Sequence, residues 1–107
     1  SSLAQAAGIA ALQEKEYAQK TRVLIAKERG WLRQALAEQK QRVVGGKANY
    51  LFFQTDTPEL GQKMRRCGVM IRCCGNYPGL DETWYRTAVR TQKENEQLLK
   101  IMREVLA

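Results

Sequence analysis

The sequence contains no histidine, so it lacks the side chain that most often serves as a metal ligand and as a general base near neutral pH. It has only three cysteines. Two of them, Cys73 and Cys74, are adjacent, and no CxxC spacing occurs. This pattern favours reduced thiols in a cytoplasmic protein over a disulfide framework or a zinc site. We therefore expect no metal.

Long apolar runs are also missing. No window approaches the roughly 20 apolar residues that a membrane-spanning helix requires, and no segment resembles a signal peptide. We therefore expect no membrane partner. The chain begins at Ser1 without a methionine, and we expect it to be a cut-out or processed piece of a longer protein.

The composition is that of an ordinary globular domain. The 107 residues are 44% hydrophobic and 27% charged, which suits one domain with a modest core. The net charge of +7 could indicate a nucleic-acid surface. Between residues 14 and 38, however, lysine and arginine alternate with glutamate, as on a solvated helix. We expect no nucleic-acid partner, and a stand-alone basic binding module for RNA or an acidic protein remains a remote alternative.

The first third of the chain predicts helix. Residues 1–12 are rich in alanine, and small residues allow close packing against something outside this sequence. Residues 14–38 carry an apolar stripe with a period near 3.6. The stripe consists of Leu24, Ile25, Trp31, Leu32, Ala35 and Leu36. We predict a first helix within residues 1–12 and one long helix over residues 14–38.

The middle of the chain predicts a strand, a helix and a turn. A short edge strand is expected at Arg42–Val44, and Tyr50–Gln54 is apolar on both faces, as in a central strand covered on each side. Thr57 and Pro58 predict a helix start, with threonine as the cap. Gly68 stands where a carboxy-terminal cap belongs. The core face of this helix would carry Leu60, Met64 and Cys67.

The last third predicts two strands and a helix. Residues 69–73 and 85–89 alternate with period 2, and the loop between them is rich in glycine and proline. If the two strands lie in one sheet, Arg72 and Arg86 can share a face and form an anion site. The final helix opens with a capping box at Thr91 and Glu94. Its core face would be Leu98, Leu99, Met102, Val105 and Leu106.

This order of elements predicts an α+β fold, a small three- to four-stranded sheet with helices packed on one face. The opposite face would carry Arg72, Arg86 and one side of Tyr50–Gln54. Nothing else in the chain is available to cover that face.

The segment IRCCGNYPGLDETWYRTAVRTQKENEQLL resembles the carboxy-terminal signature of the histidinol-phosphate aminotransferase group of pyridoxal-phosphate enzymes. It is most similar to the threonine-phosphate decarboxylases of cobalamin biosynthesis. The resemblance implies that 1–107 is a single carboxy-terminal small domain, with a helical lead-in at 1–38 and an α/β layer at 39–107. The large cofactor-binding domain would be absent from this chain.

The resemblance also implies the site residues. Arg86 would bind the acidic group of the substrate, and Arg72 would be the second anion-binding arginine. Arg90 matches the same motif, but it could instead pair with the region of Glu94. Asn76 and Tyr77 are further candidates in a loop that either closes over a ligand or simply connects two strands.

The activity implied by the resemblance belongs to a longer parent enzyme, expected to be a homodimer. A decarboxylase of this kind converts O-phospho-L-threonine, a small phosphorylated amino acid, to aminopropanol phosphate and carbon dioxide. A histidinol-phosphate aminotransferase is the alternative, and it abstracts the proton at Cα instead. Pyridoxal phosphate would be held by the missing large domain, since no lysine of this chain lies in a matching motif. We therefore expect the chain alone to be inactive.

Overall fold

A computed structural model describes residues 2–47 and 49–107. The elements are α1 (Ser2–Glu38), β1 (Arg42–Lys47), β2 (Tyr50–Gln54), α2 (Leu60–Arg66), β3 (Arg72–Cys73), β4 (Trp84–Ala88) and α3 (Gln92–Leu106). The strands form one antiparallel four-stranded sheet in the order β1-β2-β4-β3. The predicted α+β fold is confirmed.

Helix α1 is one continuous helix of 37 residues, whereas two helices, within residues 1–12 and at 14–38, were predicted. The division is wrong because no glycine or proline separates the two segments. At about 1.5 Å per residue it is roughly 55 Å long, so it accounts for most of the 63 Å length of the molecule. Its buried residues are Glu28, Leu32 and Leu36, all in the last three turns. Leu24 and Trp31 were expected in the apolar stripe, but they are 58% and 41% exposed and do not belong to the buried residues of α1. Residues 2–20 are exposed throughout, and their expected packing partner stays a prediction.

The sheet has the predicted edge and central strands. Strand β1 lies at the edge but runs further than expected, to Lys47. Strand β2 lies between β1 and β4, with Leu51 and Phe53 buried and Tyr50 and Phe52 half-buried. Within the described residues, helices therefore cover only one face of β2. The prediction that both faces of this strand are covered is not fulfilled within these residues.

The core lies between the sheet and the three helices. Phe53 and Tyr85 stack across β2 and β4 with ring centroids 6.0 Å apart. The helices contribute Leu32, Leu36, Leu60, Met64, Leu98, Leu99, Ile101 and Met102. Each fully buried aliphatic or aromatic side chain stabilises the fold by about 1.5–3 kcal/mol relative to an exposed one. This burial fixes which face of the sheet points away from the helices.

The predicted start of α2 is wrong. The helix begins at Leu60, and Thr57 is not its cap. Glu59, at the cap position, has a left-handed backbone with φ 57°, so it forms a turn with Pro58. The hydroxyl of Thr55 accepts a hydrogen bond from the backbone N–H of Thr57 at 3.1 Å, which holds this segment in a turn.

The predicted end of α2 is confirmed. Gly68 has φ 84°, and its N–H donates to the carbonyl of Arg65 at 2.9 Å. The N–H of Val69 donates to the carbonyl of Met64 at 3.1 Å, which completes a Schellman motif. Cys67 is exposed rather than on the core face, because it lies in this turn at the helix end.

Helix α3 is capped as predicted, since the hydroxyl of Thr91 accepts from the N–H of Glu94 at 3.3 Å. Of the predicted core face, Leu98, Leu99 and Met102 are buried, while Val105 and Leu106 are half-buried. Asn95 and Ile101 are also buried, although neither belongs to the predicted core face.

No helix among the described residues is both long and apolar enough to cross a bilayer. All three cysteines are free thiols, with Cys67 and Cys73 exposed and Cys74 buried. Across residues 2–47 and 49–107, no group of three or more metal-ligating side chains comes together.

Candidate functional site

The register of β3 against β4 brings two arginines together. Arg72 lies directly opposite Arg86, and Cys73 lies opposite Tyr85. Directly opposed residues of antiparallel strands project from the same face, with Cβ atoms about 4.5–5.5 Å apart. The predicted shared face of Arg72 and Arg86 is therefore confirmed.

Strand β3 is shorter than its predicted range, and strand β4 is shifted from its predicted range. Strand β3 covers only Arg72–Cys73 instead of residues 69–73, because its ladder with β4 contains just two residue pairs. Strand β4 is Trp84–Ala88, one residue earlier than expected. The arginine pairing survives both differences because it depends on register and not on strand length.

The face of the sheet turned away from the helices, called here the open face, carries an aromatic support for Arg86. The guanidinium carbon of Arg86 lies 5.2 Å from the ring centroid of Tyr50. The Tyr50 ring in turn contacts Phe52 edge to face, with centroids 5.4 Å apart. Such a cation–π contact orients a guanidinium without neutralising its charge.

An open pocket of about 740 Å³ lies at this end of the open face, and we call it the arginine pocket. It is lined by three arginines, Arg65, Arg72 and Arg86. The other lining residues are Asn49, Tyr50, Met70, Ile71, Cys73 and Ala88, none of them a carboxylate. In the part of the chain that the structure describes, none of the three arginines forms a salt bridge, since no carboxylate oxygen lies within 4.0 Å of their nitrogens. The arginine pocket therefore concentrates positive charge, and guanidinium groups are well suited to binding carboxylates and phosphates.

The Cys74 thiol lies behind this site and is not suited to nucleophilic chemistry. Burial raises the pKa of the Cys74 thiol, and the positive charge of Arg86 only partly opposes this shift. The thiol is therefore protonated at neutral pH, and its sulfur lies 3.7 Å from the Arg72 carbonyl. Cys74 is therefore a packing residue, whereas its neighbour Cys73 is exposed.

The loop between β3 and β4 is built from successive turns. The N–H of Tyr77 donates to the carbonyl of Cys74 at 3.0 Å, and the N–H of Leu80 donates to the carbonyl of Tyr77 at 3.1 Å. Asn76 is exposed and does not line the arginine pocket. Tyr77 is half-buried and is also outside the lining. The structure therefore does not bring these two loop candidates to Arg86.

Arg90 also lies apart from the arginine pocket. Its side chain is 3.8 Å from the carboxylate of Glu94, in an exposed pair four residues apart. The alternative expected for Arg90, pairing with the Glu94 region, is the arrangement observed.

Asp81 anchors the far end of the loop, and its titration can be checked. Its carboxylate accepts hydrogen bonds from the hydroxyl and from the N–H of Thr83. The hydroxyl first, and the N–H second, lower the pKa of Asp81 below its usual value. These hydrogen bonds to the ionised Asp81 stabilise the folded state at pH values above the pKa of an unfolded aspartate. The stabilisation is lost as the pH falls through the lowered pKa of Asp81 in the folded state.

We predict that Thr83→Val raises the pKa of Asp81 measured by carboxyl NMR titration, whereas Thr83→Ser leaves this pKa low. Equal pKa values in both variants would contradict the assignment.

Two residues of the site were not found from the sequence. Arg65 lies in the last turn of α2, and Tyr50 lies in β2. The period-2 alternation of β2 places Tyr50 on the same face as Phe52, which is a usable signal. For Arg65 the only signal is a basic residue in a helix that ends just before an arginine-bearing strand.

The chain matches the family model described as aminotransferase class I and II over residues 1–102. It is 37% identical over 107 residues to the threonine-phosphate decarboxylase of Salmonella typhimurium, covering 97% of this chain and 29% of that protein. It is 29% identical over 110 residues to the histidinol-phosphate aminotransferase of Methanothermobacter thermautotrophicus, covering 97% of this chain and 30% of that protein.

A solved structure has the same fold. The histidinol-phosphate aminotransferase from Clostridium acetobutylicum superposes with a TM-score of 0.81 at 25% identity. The similarity covers 89% of this chain and 30% of that one. The chain thus spans a little under a third of the length of the curated relatives it matches.

Proposed function

The chain belongs to the class I and II aminotransferase family, and on that premise we propose that it is the small domain that binds the anionic groups of the substrate in a pyridoxal-phosphate-dependent enzyme. The observation that carries the proposal is the direct pairing of Arg72 with Arg86 on the open face. Because no described carboxylate neutralises either arginine, both are available to an anionic ligand. Each can present two parallel donors to a carboxylate or a phosphate.

The arginine pocket does not fit the cofactor itself. Pyridoxal phosphate requires a lysine for covalent attachment and an acidic partner for its ring nitrogen. The lining of the arginine pocket contains neither a lysine nor a carboxylate. When bound, the cofactor supplies an electron sink for cleavage of a bond at Cα. We propose that a separate large domain of a longer parent holds the cofactor, and we expect this chain alone to be inactive. We further propose, from the resemblance alone, that the parent is a cytoplasmic homodimer.

For the activity of the parent we favour threonine-phosphate decarboxylase, in cobalamin biosynthesis. The higher identity to the Salmonella typhimurium protein supports this assignment. The substrate would be O-phospho-L-threonine, and the products aminopropanol phosphate and carbon dioxide. The contribution of this chain would be orientation, because holding the substrate by its anionic groups fixes which bond at Cα is presented for cleavage.

The second candidate is histidinol-phosphate aminotransferase. It is supported by the structural likeness to the Clostridium acetobutylicum protein, whose coverage of this chain is 89%. The same arginine pair would then hold a phosphate, and the bond broken at Cα would be the one to hydrogen.

A product assay separates the two candidates. We predict that an enzyme carrying this chain together with its cofactor domain releases labelled carbon dioxide from carboxyl-labelled O-phospho-L-threonine without consuming a 2-oxo acid. The remaining product should be aminopropanol phosphate, detected by phosphorus NMR. Release of no carbon dioxide, together with stoichiometric glutamate formation from 2-oxoglutarate and histidinol phosphate, would establish the aminotransferase instead.

A further inference from the structure

Arg86 is held in place by an aromatic ring, which leaves its charge uncompensated. The guanidinium carbon lies 5.2 Å from the centroid of the Tyr50 ring. Arg42, in the same sheet, is held differently, because it donates to Gln54 at 3.2 Å and to the carboxylate of Asp56 at 2.9 Å. An ion pair occupies the N–H donors of a guanidinium, whereas an aromatic ring attracts the cation and occupies no donor. The donors of Arg86 are therefore available to a ligand.

Arg86 lies between a second cation and this ring. Strand β4 runs between β2 and β3 in the sheet, so Tyr50 and Arg72 lie on opposite sides of Arg86. Arg72 is directly opposite Arg86, and like charges at such positions repel each other. The repulsion from Arg72 and the attraction to Tyr50 therefore act on the guanidinium of Arg86 in the same direction, towards β2. Together they restrict the rotamers of this side chain before any ligand binds.

Tyr50 is a rigid support for the guanidinium. It belongs to β2, which is hydrogen-bonded to β1 on one side and to β4 on the other. Next to Tyr50, the N–H of Val89 donates to the carbonyl of Asn49 at 2.7 Å and extends this ladder. The Tyr50 ring also contacts Phe52 edge to face, with centroids 5.4 Å apart. Because a rotation of the ring would break this aromatic contact, the position of the ring is well defined.

We propose that Tyr50 is a positioning residue, whose ring holds the guanidinium of Arg86 in place by electrostatic attraction before an anionic group binds. The inference rests on the proposed function, in which Arg86 binds an anionic group of the substrate, and it adds a residue from a different strand to that site. A guanidinium that is already in position loses less conformational freedom on binding. The ring thus strengthens binding by acting through Arg86.

The test separates the electrostatic attraction of the ring from its bulk. Residue 50 is replaced by phenylalanine and by phenylalanines with one, two and three ring fluorines, in the enzyme that carries this chain together with its cofactor domain. Each fluorine withdraws electron density from the ring face and weakens its attraction for a cation, while the ring size changes little. We expect kcat/KM to fall stepwise along the series. Equal values along the series would mean that the ring only fills space, and would overturn the inference.

The substrate in this assay is O-phospho-L-threonine, or histidinol phosphate if the product assay identifies the aminotransferase. Tyr50→Leu removes the ring and should lower kcat/KM by about 2- to 30-fold, the range of a cation–π contact from an exposed to a desolvated site. Tyr50→Phe keeps the ring and should retain most of the activity. If Tyr50→Phe were as impaired as Tyr50→Leu, the effect would belong to the hydroxyl, and the inference would be wrong.

Two controls connect the effect to Arg86. In an Arg86→Gln background no cation lies over the ring, so the fluorine series at residue 50 should leave kcat/KM constant. Phe52 is a half-buried ring of the same face that contacts Tyr50 by an aromatic pair, and the same series at residue 52 should have a smaller effect. A decrease that persists in the Arg86→Gln background, or an equal decrease at residue 52, would contradict the assignment.

The same measurements distinguish this inference from the proposed function. If Arg86→Lys lowers kcat/KM while the fluorine series at residue 50 has no effect, Arg86 binds the substrate without help from Tyr50, and only this inference is wrong. If Arg86→Lys leaves kcat/KM normal, the proposed site is wrong and the inference is wrong with it. Because the fluorinated rings nearly preserve the shape of the side chain, the series remains informative even if Tyr50→Leu does not fold.

Discussion

Replacing Arg86 by lysine should lower kcat/KM of the enzyme that carries this chain by about 30-fold to several-thousand-fold. The expectation follows from a loss of about 2–5 kcal/mol when one partner of a desolvated, hydrogen-bonded charge pair is altered, at about 1.4 kcal/mol per factor of ten. Lysine keeps the positive charge but cannot present two parallel donors. Arg86→Ala should lower kcat/KM further, since it removes the positive charge as well. Steady-state kinetics with O-phospho-L-threonine measure both losses.

Lysine substitutions at Arg72 and Arg86 should lower kcat/KM by different amounts. Arg86 is half-buried and packed over Tyr50, whereas Arg72 is exposed at the edge of the sheet. Because water screens an exposed charge more strongly, Arg72→Lys should lower kcat/KM less than Arg86→Lys does. The absorbance spectrum of the bound cofactor should not change in either variant, because the arginine pocket has no groups that hold it.

Arg42 provides the matched control for these variants. It is a strand arginine of the same sheet, paired with Asp56 at 2.9 Å, with side chains 58% and 83% exposed. Arg42→Lys should leave kcat/KM nearly unchanged. If Arg86→Lys behaves like this control, with near-normal turnover and only a lower melting temperature, then Arg86 is a structural residue and the main site assignment is wrong.

The shared face of Arg72 and Arg86 could be predicted, on the condition that the two strands lie in one sheet, because it depends on local pattern. Period-2 alternation fixes which face each side chain occupies, and a loop rich in glycine and proline implies that the strands are neighbours. The register then places the two residues directly opposite each other. The end of α2 was predictable for the same reason, since a glycine at Gly68 supports a left-handed backbone.

Two features were not predicted correctly. Thr57 and Pro58 carry the local signal of a helix start, but a competing local turn, formed by the hydroxyl of Thr55 and the left-handed Glu59, holds them outside the helix. The position of Arg65 beside Arg72 requires the chain reversal after α2, which no periodicity encodes.

A buried amide was missed for a related reason, and it supports the second large expected effect. Asn95 is 1% exposed. Its side-chain oxygen accepts from the N–H of Arg90 at 3.0 Å, and its amide nitrogen donates to the Arg90 carbonyl at 3.0 Å. The same nitrogen donates to the carboxylate of Glu28 at 3.2 Å. Asn95 thus connects α1, the end of β4 and the start of α3, which the sequence alone does not reveal.

We predict that Asn95→Ala lowers the free energy of unfolding by about 2–4 kcal/mol, because each buried group left without its partner costs about 1–3 kcal/mol. The groups affected are the backbone of Arg90 and the carboxylate of Glu28, which is 6% exposed. Urea denaturation of the chain followed by circular dichroism measures the loss. Gln92→Ala is the control, since the Gln92 amide makes only an exposed contact to Glu96 at 3.3 Å. That variant should change stability by no more than about 0.5 kcal/mol.

Variants of Glu28 identify the cause of the loss. Glu28→Gln keeps an oxygen that accepts from Asn95 and removes a buried charge, so it should cost less than about 1 kcal/mol. Glu28→Ala removes the acceptor and should destabilise the chain clearly more. Asn95→Asp should be at least as damaging as Asn95→Ala, because it removes the donor and places a second carboxylate against Glu28. An Asn95→Ala variant as stable as Gln92→Ala would show that this buried amide does not hold the arginine-bearing strand to α1.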